Sequence, residues 1–275
     1  MNLSELFEQT HKLPNIPKVV QELIVTFNEE EVDMEAIASK IAMDPVLTAK
    51  VLRLANSAHY GVSKTISSTA DASVLLGFAT LRTLVLASGI TGAMQTPDGF
   101  DRKEFWRRNF AVAALAKWLA SYSPVNPETA FTTAMLHSIG QLLILLLLPS
   151  ECKKVEAAVN AGGKLHQVEK SILGFDYAEV GAELASRWKF PEDIVNGIRL
   201  HTAPLEAEPH NPLAGLAHLA VYLDHAHTEG TEEAIIAEQF PIDVGNAIGL
   251  ELDTVISNLE QTRDIDSGMD ALLED

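Results

Sequence analysis

Asn126-Pro127-Glu128-Thr129-Ala130-Phe131-Thr132-Thr133-Ala134-Met135-Leu136-His137-Ser138-Ile139-Gly140-Gln141-Leu142-Leu143-Ile144-Leu145-Leu146-Leu147-Leu148-Pro149 is the stretch that decides the fold. Asn126 is of the type that caps a helix N-terminus. Pro127 suits the first turn, where a missing N–H costs nothing, and Pro149 marks the far end. The pattern predicts one long helix between them. The run Leu142 to Leu148 is apolar on every face, which a surface helix is not, so the segment is expected in the middle of a helical core. His137 is then carried to the centre of the molecule, and a titratable ring in that position needs a chemical reason.

Outward from this segment, apolar residues recur at helical spacing almost everywhere and strand signals are nearly absent, which makes the class all-α. The chain has 275 residues, 47% hydrophobic and 21% charged, the balance of a globular protein able to bury a core. Its 38 acidic and 20 basic residues leave a formal charge of −18, which argues against nucleic acid as a partner because phosphate binding needs clustered Lys and Arg. The single cysteine, Cys152, can form no internal disulfide and fits a reducing compartment. Residues Met1 to Gln9 carry two glutamates and no basic n-region, against a secretory signal. His137, Ser138 and Gln141 interrupt the long apolar run, leaving too little for the roughly 20 residues that span a bilayer. The expectation is a cytoplasmic protein that does not use a membrane.

Taken in order, Leu13-Pro14-Asn15-Ile16-Pro17 is a stiff connector, followed by the stripe Val19, Val20, Leu23, Ile24 and Phe27. Asp33 can cap the next helix. Asp44-Pro45 is a strong start for another, which should stop near Asn56-Ser57, before Gly61. Ser68 with Asp71 opens a short helix that Gly77 closes, and a further helix holds Leu81, Leu84, Val85 and Ile90. Thr96-Pro97-Asp98-Gly99 is the clearest break in the first half. Asp101 with Glu104 makes a capping box for a helix carrying Trp106, Phe110, Leu115 and Leu119. Beyond Pro149 come a helix ending at Gly162-Gly163, a short one ending at Gly174, a segment capped by Asp176, one from Pro191 to His201, and one from about Pro212 to His227. The tryptophans at 106, 118 and 188 are expected in the core. Gly162-Gly163 is a helix stop and not a phosphate-binding loop.

Two stretches carry a family resemblance. Asp44-Pro45-Val46-Leu47-Thr48-Ala49-Lys50-Val51-Leu52-Arg53-Leu54-Ala55-Asn56-Ser57-Ala58-His59-Tyr60-Gly61, preceded by Leu13-Pro14-Asn15-Ile16-Pro17, resembles the signature of the HDOD family of bacterial signalling domains. So does Gly174-Phe175-Asp176-Tyr177-Ala178-Glu179-Val180-Gly181-Ala182 with Trp188 and Pro191. The resemblance covers roughly residues 13 to 230. It implies an all-helical fold with an N-terminal helical part over 1–98, an HD-like helical part over 99–230 and a C-terminal helical tail over 231–275. The second part is similar to HD-type phosphohydrolases, which hold one or two divalent metals with a His, a His-Asp pair and a later Asp.

Carried across residue by residue, that resemblance places the His-Asp pair on His137-Ser138, so the imidazole survives and the carboxylate does not. The enzymes' first His falls near Arg108, the lysine after the pair on Gln141, and the final Asp close to Val221. A catalytic divalent ion needs about three anionic or imidazole ligands from the protein. Ser138 is a poor one, and a guanidinium at 108 repels a cation. The expectation is a vestigial pocket in which Arg108, His137 and Ser138 form a polar cluster within the core, with no cofactor and no catalytic residue. His137 then reads as a buried imidazole satisfied by neighbouring polar groups. The alternatives are a small anionic or nucleotide ligand held by His137 with Arg108, and a metal site. His225-Ala226-His227 is a possible chelate, but residues two apart on a helix point to different sides. Asn56-Ser57 reads as a helix C-terminus, with Asn in the left-handed conformation and Ser bonded to nearby backbone.

The reading of function that follows is a non-catalytic signalling domain acting on a protein partner, its sensor or effector supplied by another polypeptide. From another class, the competing reading is a metal-dependent phosphohydrolase or cyclic-nucleotide phosphodiesterase with an atypical site. A sensor that binds a nucleotide without hydrolysing it is the third.

Overall fold

The computed structural model describes residues 2–8, 13–26, 33–57, 65–263 and 265. Every regular element among them is helical, as the periodicity requires. The expected positions of Phe27 and of Ala58 to Gly61 lie outside the described residues. The chain divides into two compact units, one containing Met1–Pro14, Gln95–Arg187 and Pro191–Ile265, the other Asn15–Met94 and Trp188–Phe190.

The first unit opens with α1 (Leu3–Phe7), which Asn2 and Glu5 cap reciprocally. The second unit comprises α2 (Lys18–Thr26), α3 (Met34–Ala42), α4 (Pro45–Ala55) and α5 (Thr69–Ala93). Each start has a local cause. Asp33 accepts the Glu35 and Ala36 amides, Asp44 accepts those of Val46 and Leu47, and Ser68 accepts that of Asp71. Gly77, at φ 71°, interrupts α5 where a helix stop was expected. The other three helices pack on α5 through fully buried Val20, Leu23, Ile37, Ile41, Leu54 and Leu84.

The rest of the first unit runs through α6 (Arg102–Ala120), α7 (Pro127–Leu136), α8 (Ile139–Leu147), α9 (Pro149–Asn160), α10 (Leu165–Leu173) and α11 (Tyr177–Arg187). It continues with α12 (Glu192–Leu200), α13 (Pro212–Thr228), α14 (Glu233–Glu238), α15 (Ile242–Ala247) and α16 (Leu252–Ser257), then a single 3₁₀ turn at Leu259–Thr262. Helices α6, α7 and α13 pack on one another, α8 lies on α11, and α12 joins α11 to α13. Residues 130 to 136 are buried on every side, so α7 is the core helix its composition predicts. The segments after 231 close onto the same unit: the Tyr222 hydroxyl donates to the Ile236 carbonyl at 2.9 Å and the Glu251 amide to that of Tyr122 at 3.1 Å.

Several local expectations are corrected. The predicted single helix from Asn126 to Pro149 is two, because Ser138 leaves helical geometry at φ −109°, ψ 5°. Pro149 does mark the far end, since α8 stops at Leu147, and it also occupies the first turn of α9. The Asp101–Glu104 capping box is half formed. Asp101 accepts the Glu104 amide, but the Glu104 carboxylate turns to Arg107 instead of returning to the cap. Trp106 and Trp188 are buried, whereas Trp118 is half-exposed and donates to the Gln261 side chain. Interrupting polar residues do not lower mean hydropathy enough to disqualify residues 127–147. That stretch and Thr69–Ala93 are long and apolar enough to cross a membrane, and in the former 83% of the most apolar window is buried inside the protein.

Candidate functional site

The break between α7 and α8 builds the site. At His137 the backbone amide and the ring both turn to the Ala134 carbonyl, at 3.2 and 2.6 Å. Two donors on one carbonyl tighten the last turn of α7. A carbonyl can only accept, so Nδ1 carries the proton and the neutral ring presents its Nε2 lone pair. The Ser138 hydroxyl donates to Asn109 Oδ1 of α6 at 2.7 Å. One residue further, Gly140 permits α8 to reach the start of α11. A Cβ there would lie 2.0 Å from the Tyr177 carbonyl oxygen and 2.7 Å from the Gly181 nitrogen.

That close approach places Tyr177 and His201 beside His137. The rings of His137 and His201 are 5.4 Å apart and nearly perpendicular. His201 repeats the arrangement of His137: Nδ1 donates to the Ile198 carbonyl at 2.7 Å, leaving Nε2 to accept from the Tyr177 hydroxyl at 3.2 Å. His218 braces the turn by donating from Nδ1 to the His201 carbonyl at 2.8 Å. Both central rings are held neutral. Burial lowers His137 to about 4, Ala134 and Asp224 opposing and Arg108 adding to the shift. Burial, reinforced by His137, lowers His201 to about 3.

Arg108 is not a member of the buried cluster. Its side chain is 47% exposed and its Nη2 donates to Asp224 Oδ2 at 2.8 Å. The carboxylate on α13 is therefore Asp224, not a residue at 221: Val221 is aliphatic and half-buried, and Asp224 stands one helical turn later on the same side. Asp224 is the one acidic residue in α13, a signal that could have located it. Gln141 lines a separate cavity of about 330 Å³ formed with residues of α6, α9 and α10. The two histidines of the suggested chelate diverge, His225 towards Glu229 and His227 Nε2 towards the Thr262 hydroxyl at 3.1 Å.

Would these residues hold the divalent ion of an HD enzyme? The available donors are His137 Nε2, His201 Nε2 and Asp224. Tyr177 occupies the second and Arg108 the third, and Ser138 is committed to Asn109. Among the described residues no group of three His, Cys, Asp or Glu side chains is arranged to hold a metal. The donor set does not fit such an ion.

In the second unit, Asp44 and Pro45 are the cap and first residue of α4. Asn56 ends that helix, but at φ −96°, not in the left-handed region. Its amide works as a clamp: Nδ2 donates to the Leu52 and Ile66 carbonyls and Oδ1 accepts the Ile66 amide, each at 2.8 Å. The side chain thus pairs with residue 66 as a backbone neighbour would. The Ser57 amide donates to the Leu54 carbonyl at 3.0 Å, while its buried hydroxyl has no hydrogen-bond partner among the described residues.

Comparison with known proteins places this geometry. The profile of the HDOD domain matches residues 13–204. A protein of Shewanella amazonensis SB2B, named "Putative phosphohydrolase" in its crystal structure, is 36% identical, superposes with a TM-score of 0.84 and covers 98% of both chains. A "Putative signal transduction protein" of Marinobacter aquaeolei VT8 is 25% identical with a TM-score of 0.80, covering 97% of this chain and 61% of its own. An uncharacterised protein of Treponema pallidum (strain Nichols) is 25% identical over 214 residues, 76% of this chain. This chain spans only 42% of that relative's length.

Proposed function

The chain belongs to the HDOD family, and from that premise we propose that it is a cytoplasmic, non-catalytic regulatory domain of bacterial signal transduction that acts by docking a protein partner. The observation that carries this reading is the Arg108–Asp224 pair. Where a hydrolytic relative would gather negative charge around an ion, a guanidinium already neutralises the one carboxylate, and Ser138 with Asn109 replaces the other. An ion at that place would meet Arg108 directly and would have to break a charge-assisted hydrogen bond to gain a ligand. Nor does Arg108 offer an anion a free charge, which weakens the nucleotide-sensor alternative.

The relative named as a phosphohydrolase favours a second reading, metal-dependent hydrolysis at His137. Metal analysis separates the two. Protein purified without chelator or immobilised-metal resin should hold no iron, manganese, zinc or nickel near unit stoichiometry, and added divalent ions should elicit no cleavage of phosphomonoesters or cyclic nucleotides. An ion near unit stoichiometry that His137→Ala removes, together with hydrolysis lost in the same variant, would make the enzyme reading the correct one.

A further inference from the structure

The cavity of about 330 Å³ lies within the first unit, and none of Arg108, His137, His201 and Asp224 lines it. Its volume is at the lower end of the range for small-molecule sites. The walls are mainly apolar, with Phe100, Phe105 and Leu145 half-exposed around the opening and the two phenyl rings tilted at 5.6 Å. The charged lining is acidic: Glu169 and Glu156 contribute carboxyl groups and Gln141 a neutral amide, and among the described residues no Lys, Arg or His lines the space. Glu156 is an exposed group, but Glu169 is 4% exposed.

Glu169 is the group that demands an explanation. Its Oε2 accepts the Tyr177 amide at 2.8 Å, and among the described residues no second hydrogen bond reaches the carboxyl. Tyr177 is the first residue of α11, so the carboxylate sits at a helix N-terminus, where negative charge is favoured; Gln could still accept the same amide. The other oxygen is not sealed from solvent, so a donor can reach it from the cavity that Glu169 lines, while burial of the rest of the side chain raises the cost of leaving its charge without a partner.

We propose that this cavity binds an amphipathic organic cation, a protonated primary amine on a hydrocarbon body, with its ammonium on Glu169 and its chain against Phe100, Phe105 and Leu145. The ammonium replaces water as the donor to that oxygen and brings a counter-charge with it. Glu156 adds attraction, and the phenyl faces tolerate a neighbouring cation. An organic anion of equal length meets two acids and, among the described residues, no base. A neutral alcohol can fill the apolar volume but gives only an uncharged hydrogen bond. Burial, partly offset by the Tyr177 amide, raises Glu169 to about 7, so above that value the site is anionic and ready for the cation.

The test is isothermal titration calorimetry on the full chain at about pH 8 with n-octylamine, n-octanol and octanoate. The amine should bind about ten-fold more tightly than the alcohol, the margin of a charge-assisted over a neutral hydrogen bond, and octanoate should give no binding heat. Glu169→Gln, which keeps the Tyr177 contact, should erase the preference for amine over alcohol while alcohol binding persists. Leu145→Trp should remove both. The only cysteine, Cys152, lines the same cavity, so octylamine should also slow its alkylation in the wild type. Absence of binding by the amine, binding of octanoate as tight as that of the amine, or an undiminished amine preference in Glu169→Gln would overturn the proposal.

Discussion

Replacing Gly140 by alanine should damage the site more than any conservative change to its polar residues. The added methyl would lie 2.0 Å from the Tyr177 carbonyl oxygen and 2.7 Å from the Gly181 nitrogen, against an ordinary contact that begins near 3.4 Å. Both obstacles are backbone atoms, so no rotamer change relieves the clash and α8 must back away from α11. Overpacking of that kind costs about 3 kcal/mol or more, and the better helix propensity of alanine returns only ~1 kcal/mol. A net loss of about 2 kcal/mol or more should lower the melting temperature by roughly 4–8 °C for a unit of this size. Gly181 faces the same crossing from α11, yet a methyl there meets nothing nearer than 3.4 Å. Gly181→Ala should therefore be neutral or mildly stabilising. Thermal and urea unfolding followed by far-UV circular dichroism will compare the two. Equal effects of the two substitutions, or a Gly140→Ala protein within about 0.5 kcal/mol of wild type, would refute the close approach on which the site's geometry rests.

The buried imidazoles predict acid lability. Their folded values, about 4 for His137 and about 3 for His201, lie below the ordinary 6.5, so the unfolded chain binds more protons and stability falls as pH drops below about 6.5. His201→Gln should flatten that slope by up to about 3 kcal/mol at pH 4, measured by urea unfolding across the pH range. Glu169 acts in the opposite sense. Its raised value of about 7 against an ordinary 4.5 means stability is lost as pH rises between them, so Glu169→Gln should stabilise the protein at pH 8 and leave it unchanged at pH 4. Asn56→Ala removes three hydrogen bonds at an exposed position and should cost about 1–2 kcal/mol in the unit containing α4, with faster amide hydrogen exchange at Ile66 as the local readout.

Helix starts were legible because a cap is a conversation between residues two or three apart. Asp33, Asp44, Ser68, Asn126 and Asp176 each bind an amide within the next three residues. The break at His137-Ser138 was not legible, since the apolar pattern continues through it; what bends the chain is a serine bonded to a residue 29 positions earlier and a glycine seated on another helix. The same limit explains Asn56. Its residue type and its place at a helix end were readable, but the left-handed conformation expected of it is replaced by a clamp on residue 66.

By itself the sequence determined the all-helical class, the burial of α7 and the family, because periodicity, caps and a long local motif depend on neighbours within a few turns. Only the tertiary structure decided the chemistry around His137. The Arg108–Asp224 pair joins residues 116 positions apart, and His201 reaches Tyr177 across 24. Which carboxylate faces which cation depends on how α6, α11 and α13 cross, and crossing geometry is set by packing of whole helices, a quantity no single stretch of chain contains.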